Sequence, residues 1–156
     1  MGTSGVIYLV RHAKAGERRV WFDADDLRPL SNQGFKQAEA ISARLADKGA
    51  TELYSSPYLR CVQTLEPLAE RLDTKILVDD RLAEDQPFEG ALELLGEVID
   101  GAVLCSHGDV IPATIEALVR RGMEVQTPVD WRKGTVWVLK RKGDRITKGK
   151  VWPPPT

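Results

Sequence analysis

The sequence predicts an α/β fold, a three-layer α/β/α sandwich on a mostly parallel central sheet. Two observations predict it. Short apolar runs alternate along the chain with longer stretches whose apolar residues recur at three- and four-residue spacing, a strand–helix alternation that returns each strand to one sheet in parallel with helices over both faces. The runs at residues 6–10 (VIYLV) and 102–105 (AVLC) are apolar throughout, which reads as strands buried on both faces rather than on one.

The elements follow in order. Residues 6–10 form the first strand and run straight into Arg11-His12, then Ala13, Lys14 and Ala15. Residues 16–30 (GERRVWFDADDLRPL) show no periodicity, and a loop of that length in a compact domain tends to be functional. Ser31 suits the N-cap of a helix over 32–48, with Phe35, Ala38, Ile41 and Leu45 on its inner face and Gly49 as its stop. Residues 51–54 (TELY) predict a second strand that ends in Ser55-Ser56-Pro57. A helix then opens with Tyr58-Leu59-Arg60, its apolar stripe being Leu59, Val62, Leu65, Ala69 and Leu72; Pro67 inside it predicts a kink or a restart.

Residues 75–78 predict a third strand, followed by the acidic stretch 79–85. Residues 88–99 pattern as a helix through Phe88, Leu92, Leu95 and Ile99, and 102–106 as a strand that delivers Ser106-His107-Gly108. Residues 109–121 predict a helix with Ile111, Ile115 and Leu118 inward, Pro112 being tolerated in a first turn whose N–H groups lack partners anyway. Residues 135–139 and 145–151 suit a terminal hairpin around Lys142-Gly143-Asp144. With no internal repeat, low-complexity tract or linker, residues 1–156 are expected to form a single domain.

Composition excludes several classes of function. The apolar (42%) and charged (29%) fractions are those of an ordinary globular protein. A net charge of −1 argues against a nucleic acid polymer or an acidic membrane as partner, so any preference for anions must be local. No apolar run approaches the ~20 residues of a membrane span, and residues 1–5 do not read as a signal peptide. Cys61 and Cys105 sit in apolar contexts and read as reduced core residues dispensable for chemistry. A cytoplasmic protein is expected.

The chain has only two histidines, His12 and His107, each at the C-terminal end of a buried strand beside a small residue. In an open α/β sheet that edge is where ligands bind. Either histidine alone would read as a hydrogen-bonded structural residue; the matched pair points to function. Arg11 and Arg60 are permanent cations whose guanidinium forks match phosphate oxygens. Arg60 reads either as a surface residue or as an anion ligand, because a cation in the first turn of a helix opposes the helix dipole unless an anion is bound there. Lys14, Arg18 and Arg19 read as solvated loop charges that bias the approach of anions. There is no nucleophile-elbow serine, no glycine-rich phosphate loop and no metal-ligand spacing, so neither metal nor cofactor is expected. What remains is phosphoryl transfer through imidazole, with arginines holding the charge.

These residues reach a family. The segments LVRHAKA (9–15), RPLSNQGFKQA (28–38), SSPYLRCVQT (55–64), LAE (82–84) and SHGD (106–109) resemble, in order and over nearly the whole chain, the histidine phosphatase superfamily, also called phosphoglycerate-mutase-like or RHG. The nearest branch is that of the compact SixA-like phosphohistidine phosphatases, in which Ala, as at Ala13, is common as the third residue of the namesake triplet. SSPYLRCVQT and SHGDVIP also resemble a histidine-phosphatase-like domain carried by some actinobacterial Nudix hydrolases, which leaves nucleotide-type substrates open.

The resemblance implies a phosphoglycerate-mutase-like sandwich and assigns roles. His12 would be the nucleophile that forms a phosphohistidine, and Arg11, Arg60 and His107 would complete a phosphate pocket closed by Gly108. Glu84 falls where larger members keep a proton-donating acid; Glu84 and Asp85 read equally as an ordinary acidic turn. Ser55 falls near the pocket or simply at the strand-to-helix turn. The expected activity is metal-independent hydrolysis of phosphohistidine or phosphomonoesters, on a phosphorylated protein or a small phosphorylated substrate. The alternatives are a phosphatase of nucleotides or other small metabolites and a non-catalytic phosphate-binding module. A mutase is disfavoured, because the short stretch between Arg60 and His107 leaves little room for segments that close the site against water.

Overall fold

The computed structural model describes residues 4–156. The expectation that residues 1–5 carry no leader therefore falls, for its first three positions, outside the described residues. One seven-stranded sheet runs through the molecule in the order β3-β2-β4-β1-β6-β7-β5. At its centre β1 (Ser4–Arg11) lies parallel to β4 (Val103–Ser106) and antiparallel to β6 (Val136–Lys142). On one side β2 (Leu53–Ser55) joins β4 to β3 (Ile76–Val78), all parallel. On the other, β7 (Arg145–Trp152) closes the expected hairpin with β6, and the two-residue β5 (Glu124–Val125) adds a parallel edge too short for any periodicity to announce.

The pleat of β1 shows why the molecule has three layers. Ile7 and Leu9 pack with Leu94, Ile111 and Ile115, from α3 (Phe88–Glu97) and α4 (Val110–Arg120). The alternate residues Tyr8 and Val10 pack with Ile41, Leu45 and Leu65, from α1 (Asn32–Asp47) and α2 (Leu59–Leu72). Alternate side chains of a strand point to opposite faces, so a run that is apolar throughout needs helices on both. Among the described residues no helix is long and apolar enough to cross a membrane.

Several inner faces differ from the pattern read in the sequence. In α1, Ala38, Ile41 and Leu45 are buried, but Phe35 is 44% exposed and Gly34 takes its place. A Cβ at Gly34 would fall 1.9 Å from the Lys14 carbonyl oxygen, so the helix can approach the loop after β1 only through a glycine. In α2 the buried face is Arg60, Cys61, Thr64, Leu65 and Leu68, while Leu59, Val62, Ala69 and Leu72 are half-buried. Two polar side chains turned inward invert the stripe. Pro67 does not restart the helix, which runs through it unbroken. α3 ends at Glu97, so the inward position beyond it is Val98 and Ile99 is exposed. The second strand begins at Leu53 rather than at residue 51.

The capping chemistry holds. The Ser31 hydroxyl accepts from the Gly34 N–H and itself donates to the Lys14 carbonyl (both 3.1 Å), which ties the start of α1 to the segment that follows β1. Gly49 turns the chain after α1 with φ +85°, a region that costs glycine nothing.

Candidate active site

Sheet register places the two histidines together. Arg11 of β1 pairs with Ser106 of β4, so His12 and His107 leave the sheet at the same level, and the His12 N–H donates to the Ser106 carbonyl at 3.1 Å. Their ring centroids stand 5.4 Å apart. Arg60, in the first turn of α2, brings its guanidinium between them and the long loop. It is 1% exposed, which rules out the surface reading.

His12 is set up as a neutral base. Its Nδ1 lies 2.8 Å from the Ala13 carbonyl oxygen, which can only accept, so Nδ1 carries the proton and Nε2 keeps its lone pair. Burial pushes the imidazole pKa down to about 2; the Ala13 carbonyl opposes this, and the charges of His107, Arg60 and Arg11 add to it. The Ala13 N–H donates to Thr64 Oγ1 (3.0 Å), which donates in turn to the Arg60 carbonyl (2.7 Å). Thr64 thus couples the backbone of the histidine loop to the turn that carries Arg60.

His107 is oriented by residues before and within α2. Ser56 Oγ accepts from the Tyr58 N–H (3.2 Å) and lies 2.8 Å from His107 Nε2. The hydroxyl keeps its own proton and a second lone pair, so it can partner Nε2 in either tautomer of the ring. The buried Nδ1 of His107 has no partner among the described residues, nor has Arg11 Nε. The Tyr58 ring packs edge-on against His107 at 4.7 Å. Cys61 and Cys105 are free and buried, as expected, but Cys61 Sγ also lies 3.5 Å from His107 Nε2 and so borders the site. Burial drives the Cys105 thiol well up.

The arginines are held from outside the expected set. Arg11 donates through Nη1 to the Trp131 carbonyl; burial and then the Arg60 charge lower its pKa. Its guanidinium packs on Gly108, where a Cβ would fall 2.6 Å from Cζ. Arg60 donates through Nη1 to the Asp25 carbonyl (2.9 Å), through Nη2 to Asp25 Oδ2 (3.1 Å) and Glu84 Oε1 (3.4 Å), and through Nε toward His12 Nε2 (3.4 Å). The counter-charges at this helix start are therefore carboxylates of the chain itself. Asp25 also accepts from buried Arg28 (3.0 Å), and its pKa is lowered: burial raises it, but Arg28 and Arg60 outweigh that.

An open cleft of about 440 Å³ lies over these groups, lined by Arg11, His12, Arg60, Glu84 and Gly108 and by the additional cations Arg28 and Lys133. The structure thus brings Arg11, His12, Arg60, Glu84 and Gly108 to the cleft wall, with His107 fully buried against His12 and not itself lining the cleft. Asp85 lines a neighbouring hollow instead and takes a positive φ of 69°, its N–H donating to Asp109 Oδ2 at 2.8 Å. Ser55 turns its hydroxyl to the Ser56 carbonyl; Ser56, not Ser55, reaches the histidine. Lys14 and Arg18 are exposed, as expected, yet stand on the rim of the cleft. Sequence reasoning missed Asp25, Arg28, Ser56, Thr64 and Lys133 as site residues. Ser56 and Thr64 lie inside the SSPYLRCVQT segment, and Arg28 opens RPLSNQGFKQA, so their signal was positional rather than chemical.

The chain is similar to known proteins in sequence and in fold. Residues 7–93 match the sequence model of the histidine phosphatase superfamily (branch 1). The chain is 36% identical over 156 residues to an 8-oxo-(d)GTP phosphatase of Mycolicibacterium smegmatis, covering 96% of this chain and 48% of that protein; it spans about half the length of that relative. It is similar in structure to a protein described as the phosphohistidine phosphatase SixA of Agrobacterium tumefaciens (TM-score 0.72, 25% identity, 88% of this chain and 94% of that one). A protein of the same description from Nakamurella multipartita shares the fold, with a TM-score of 0.75 at 23% identity over 99% of this chain and 98% of that one.

Proposed function

The chain belongs to the histidine phosphatase superfamily, and from that premise we propose that it hydrolyses phosphohistidine or phosphomonoesters through a covalent phosphohistidine at His12. The observation that carries the proposal is the juxtaposition of a neutral His12 Nε2 with Arg60 Nε and, across 5.4 Å, the His107 ring. His12 Nε2 attacks phosphorus in line, and the bond to the leaving group breaks. Arg11, Arg60 and His107, the last in the tautomer protonated at its unpartnered Nδ1, bind the equatorial oxygens as preorganised donors. Glu84, which lines the cleft beside Arg60, is the residue assigned to protonate the leaving group. Water then attacks the phosphohistidine, which releases orthophosphate and returns neutral His12. The arginines supply the positive charge, so the scheme needs no metal. The single sheet that runs from β1 to β7 supports reading the chain as one catalytic domain.

Substrates of two kinds fit. An open cleft admits a phosphohistidine on a protein, and a phosphoramidate whose imidazole is protonated leaves with little acid assistance. A small phosphorylated metabolite or nucleotide is favoured by the relative from Mycolicibacterium smegmatis, which matches nearly the whole chain. Turnover of p-nitrophenyl phosphate with release of orthophosphate separates either form from a module that only binds phosphate. Saturable phosphate binding without any turnover would overturn the proposal.

A further inference from the structure

One phosphoryl group held by Arg11, Arg60 and His107 leaves part of the charge in the cleft unused. Arg28 is buried against Asp25, and Arg18 pairs with Asp25 (3.4 Å) and Glu84 (3.6 Å), so each has a carboxylate partner, although these two carboxylates also serve Arg60. Lys14 Nζ reaches only the neutral Gln33 Oε1 (3.1 Å). Lys133 lines the cleft with no carboxylate partner among the described residues. Burial, and then the charges of Arg11, Arg28, Arg60 and Arg18, lower its pKa, which is what an uncompensated cation inside a cationic cluster shows.

Lys133 is exposed, but the backbone that carries it is held. The next residue, Gly134, donates its N–H toward the carbonyls of both Arg11 (3.2 Å) and His12 (3.1 Å). On the other side the Trp131 carbonyl receives the Arg11 guanidinium, and the Thr135 hydroxyl donates to the Arg132 carbonyl (2.7 Å). The turn that carries Lys133 is therefore fastened to the pair that carries the proposed chemistry. Arg11, Lys14 and Lys133 continue from the cleft into a hollow shared with Gln33 and Gln37. A second adjoining hollow, which shares Arg18 and Glu84 with the cleft, is dominated by the carboxylates Asp23, Asp25, Glu84 and Asp85. A substrate with two anionic groups thus has one favourable direction, toward Lys133.

We propose that Lys133, assisted by Lys14, forms a second anion subsite beside Arg11, which takes a further phosphate or a carboxylate adjacent to the transferred phosphoryl group. This rests on the phosphatase reading above and deepens its small-molecule form. The preferred substrate is then a compact polyanion, and the ammonium acts on it as a charge-assisted donor.

Calorimetric titration with three ligands that cannot be hydrolysed at phosphorus tests this without turnover. Methylphosphonate has one anionic group, methylenediphosphonate has two phosphonates, and phosphonoacetate adds a carboxylate instead. The wild type is expected to bind at least one of the doubly anionic ligands roughly tenfold more tightly than methylphosphonate; which one identifies the group that the subsite takes. Lys133→Gln should bring that ratio to within about threefold, and Lys133→Arg, which keeps the charge on the same turn, should restore most of it. A ratio near one in the wild type, or one that Lys133→Gln leaves unchanged, overturns the subsite. Absence of p-nitrophenyl phosphate turnover by the wild type with the binding ratio intact would instead overturn the phosphatase reading and leave the subsite standing.

Discussion

The Nε of Arg60 lies 3.4 Å from Nε2 of His12, with its N–H directed at the one imidazole atom that keeps a lone pair. The donor that would hold a phosphoryl oxygen is thus aimed at the atom that would carry the phosphorus, while its two terminal nitrogens are fixed by Asp25 and Glu84. A lysine can supply one point charge but not this fork. Arg60→Lys is therefore expected to lower kcat/KM by about 10²–10³, the range for loss of one preorganised oxyanion donor. Steady-state kinetics on a simple phosphate ester measure it, and activity within twofold of the parent would contradict the role.

Gly108→Ala should separate activity from stability. The added Cβ would fall 2.6 Å from Arg11 Cζ, at the far end of a flexible side chain that can swing away. Gly108 is not among the residues with positive φ, so the backbone accepts alanine without left-handed strain. Unfolding free energy should change by less than about 1 kcal/mol, because no buried side chain is lost. The kcat/KM should fall by about 10²-fold as Arg11 leaves its place. Full activity would show that Arg11 is not needed where it stands.

The buried imidazole makes a claim about pH. His12 titrates near 6.5 in the unfolded chain and at about 2 in the fold, because burial outweighs the Ala13 carbonyl. Between those values the unfolded chain binds one proton more, so stability falls as pH drops through 6.5 and continues to fall toward 2. The folding equilibrium loses roughly tenfold per pH unit from this group alone. His12→Asn removes that titration, so urea unfolding measured between pH 6 and 4 should show a shallower loss in the variant, by about one proton. Parallel pH profiles would contradict the depressed pKa.

Ser56 and Cys61 both approach His107 Nε2, but at 2.8 and 3.5 Å respectively. The hydroxyl makes the shorter contact and orients the ring; the thiol adds a weak one. Ser56→Ala should lower kcat/KM by roughly 10-fold, the lower end for loss of a partner that orients a functional imidazole. Cys61→Ala should cost less than threefold beyond any change in stability. The reverse order would show that the thiol, not the hydroxyl, positions His107.

What could be read without coordinates divides along physical lines. β1 and β4 were legible because strands buried on both faces are apolar throughout, and His12 and His107 because each ends such a strand. Arg60 stood out as a cation at a helix start, but the anion expected there proved to be Asp25 and Glu84. Asp25 and Arg28 lie in a loop without periodicity, where spacing carries no information about contacts 35 residues away. The inner face of α2 was misread because buried Arg60 and Thr64 replace apolar residues on it. The Trp131 carbonyl that holds Arg11 is backbone, which no residue identity reveals.

The central claim is that His12 carries the phosphoryl group and His107 does not. The structure places a neutral Nε2 on His12 and directs the Nε2 of His107 to Ser56. Rapid-quench labelling with a ³²P-phosphorylated substrate tests the assignment directly. The account predicts a phosphoenzyme that is labile to acid and stable to alkali, as a phosphoramidate is. It should be absent in His12→Ala and slower both to form and to break down in His107→Ala, which loses a charge-stabilising donor in both transition states. Label that persists in His12→Ala and vanishes in His107→Ala would reverse the roles; turnover with no trapped label in any variant would contradict the covalent route itself.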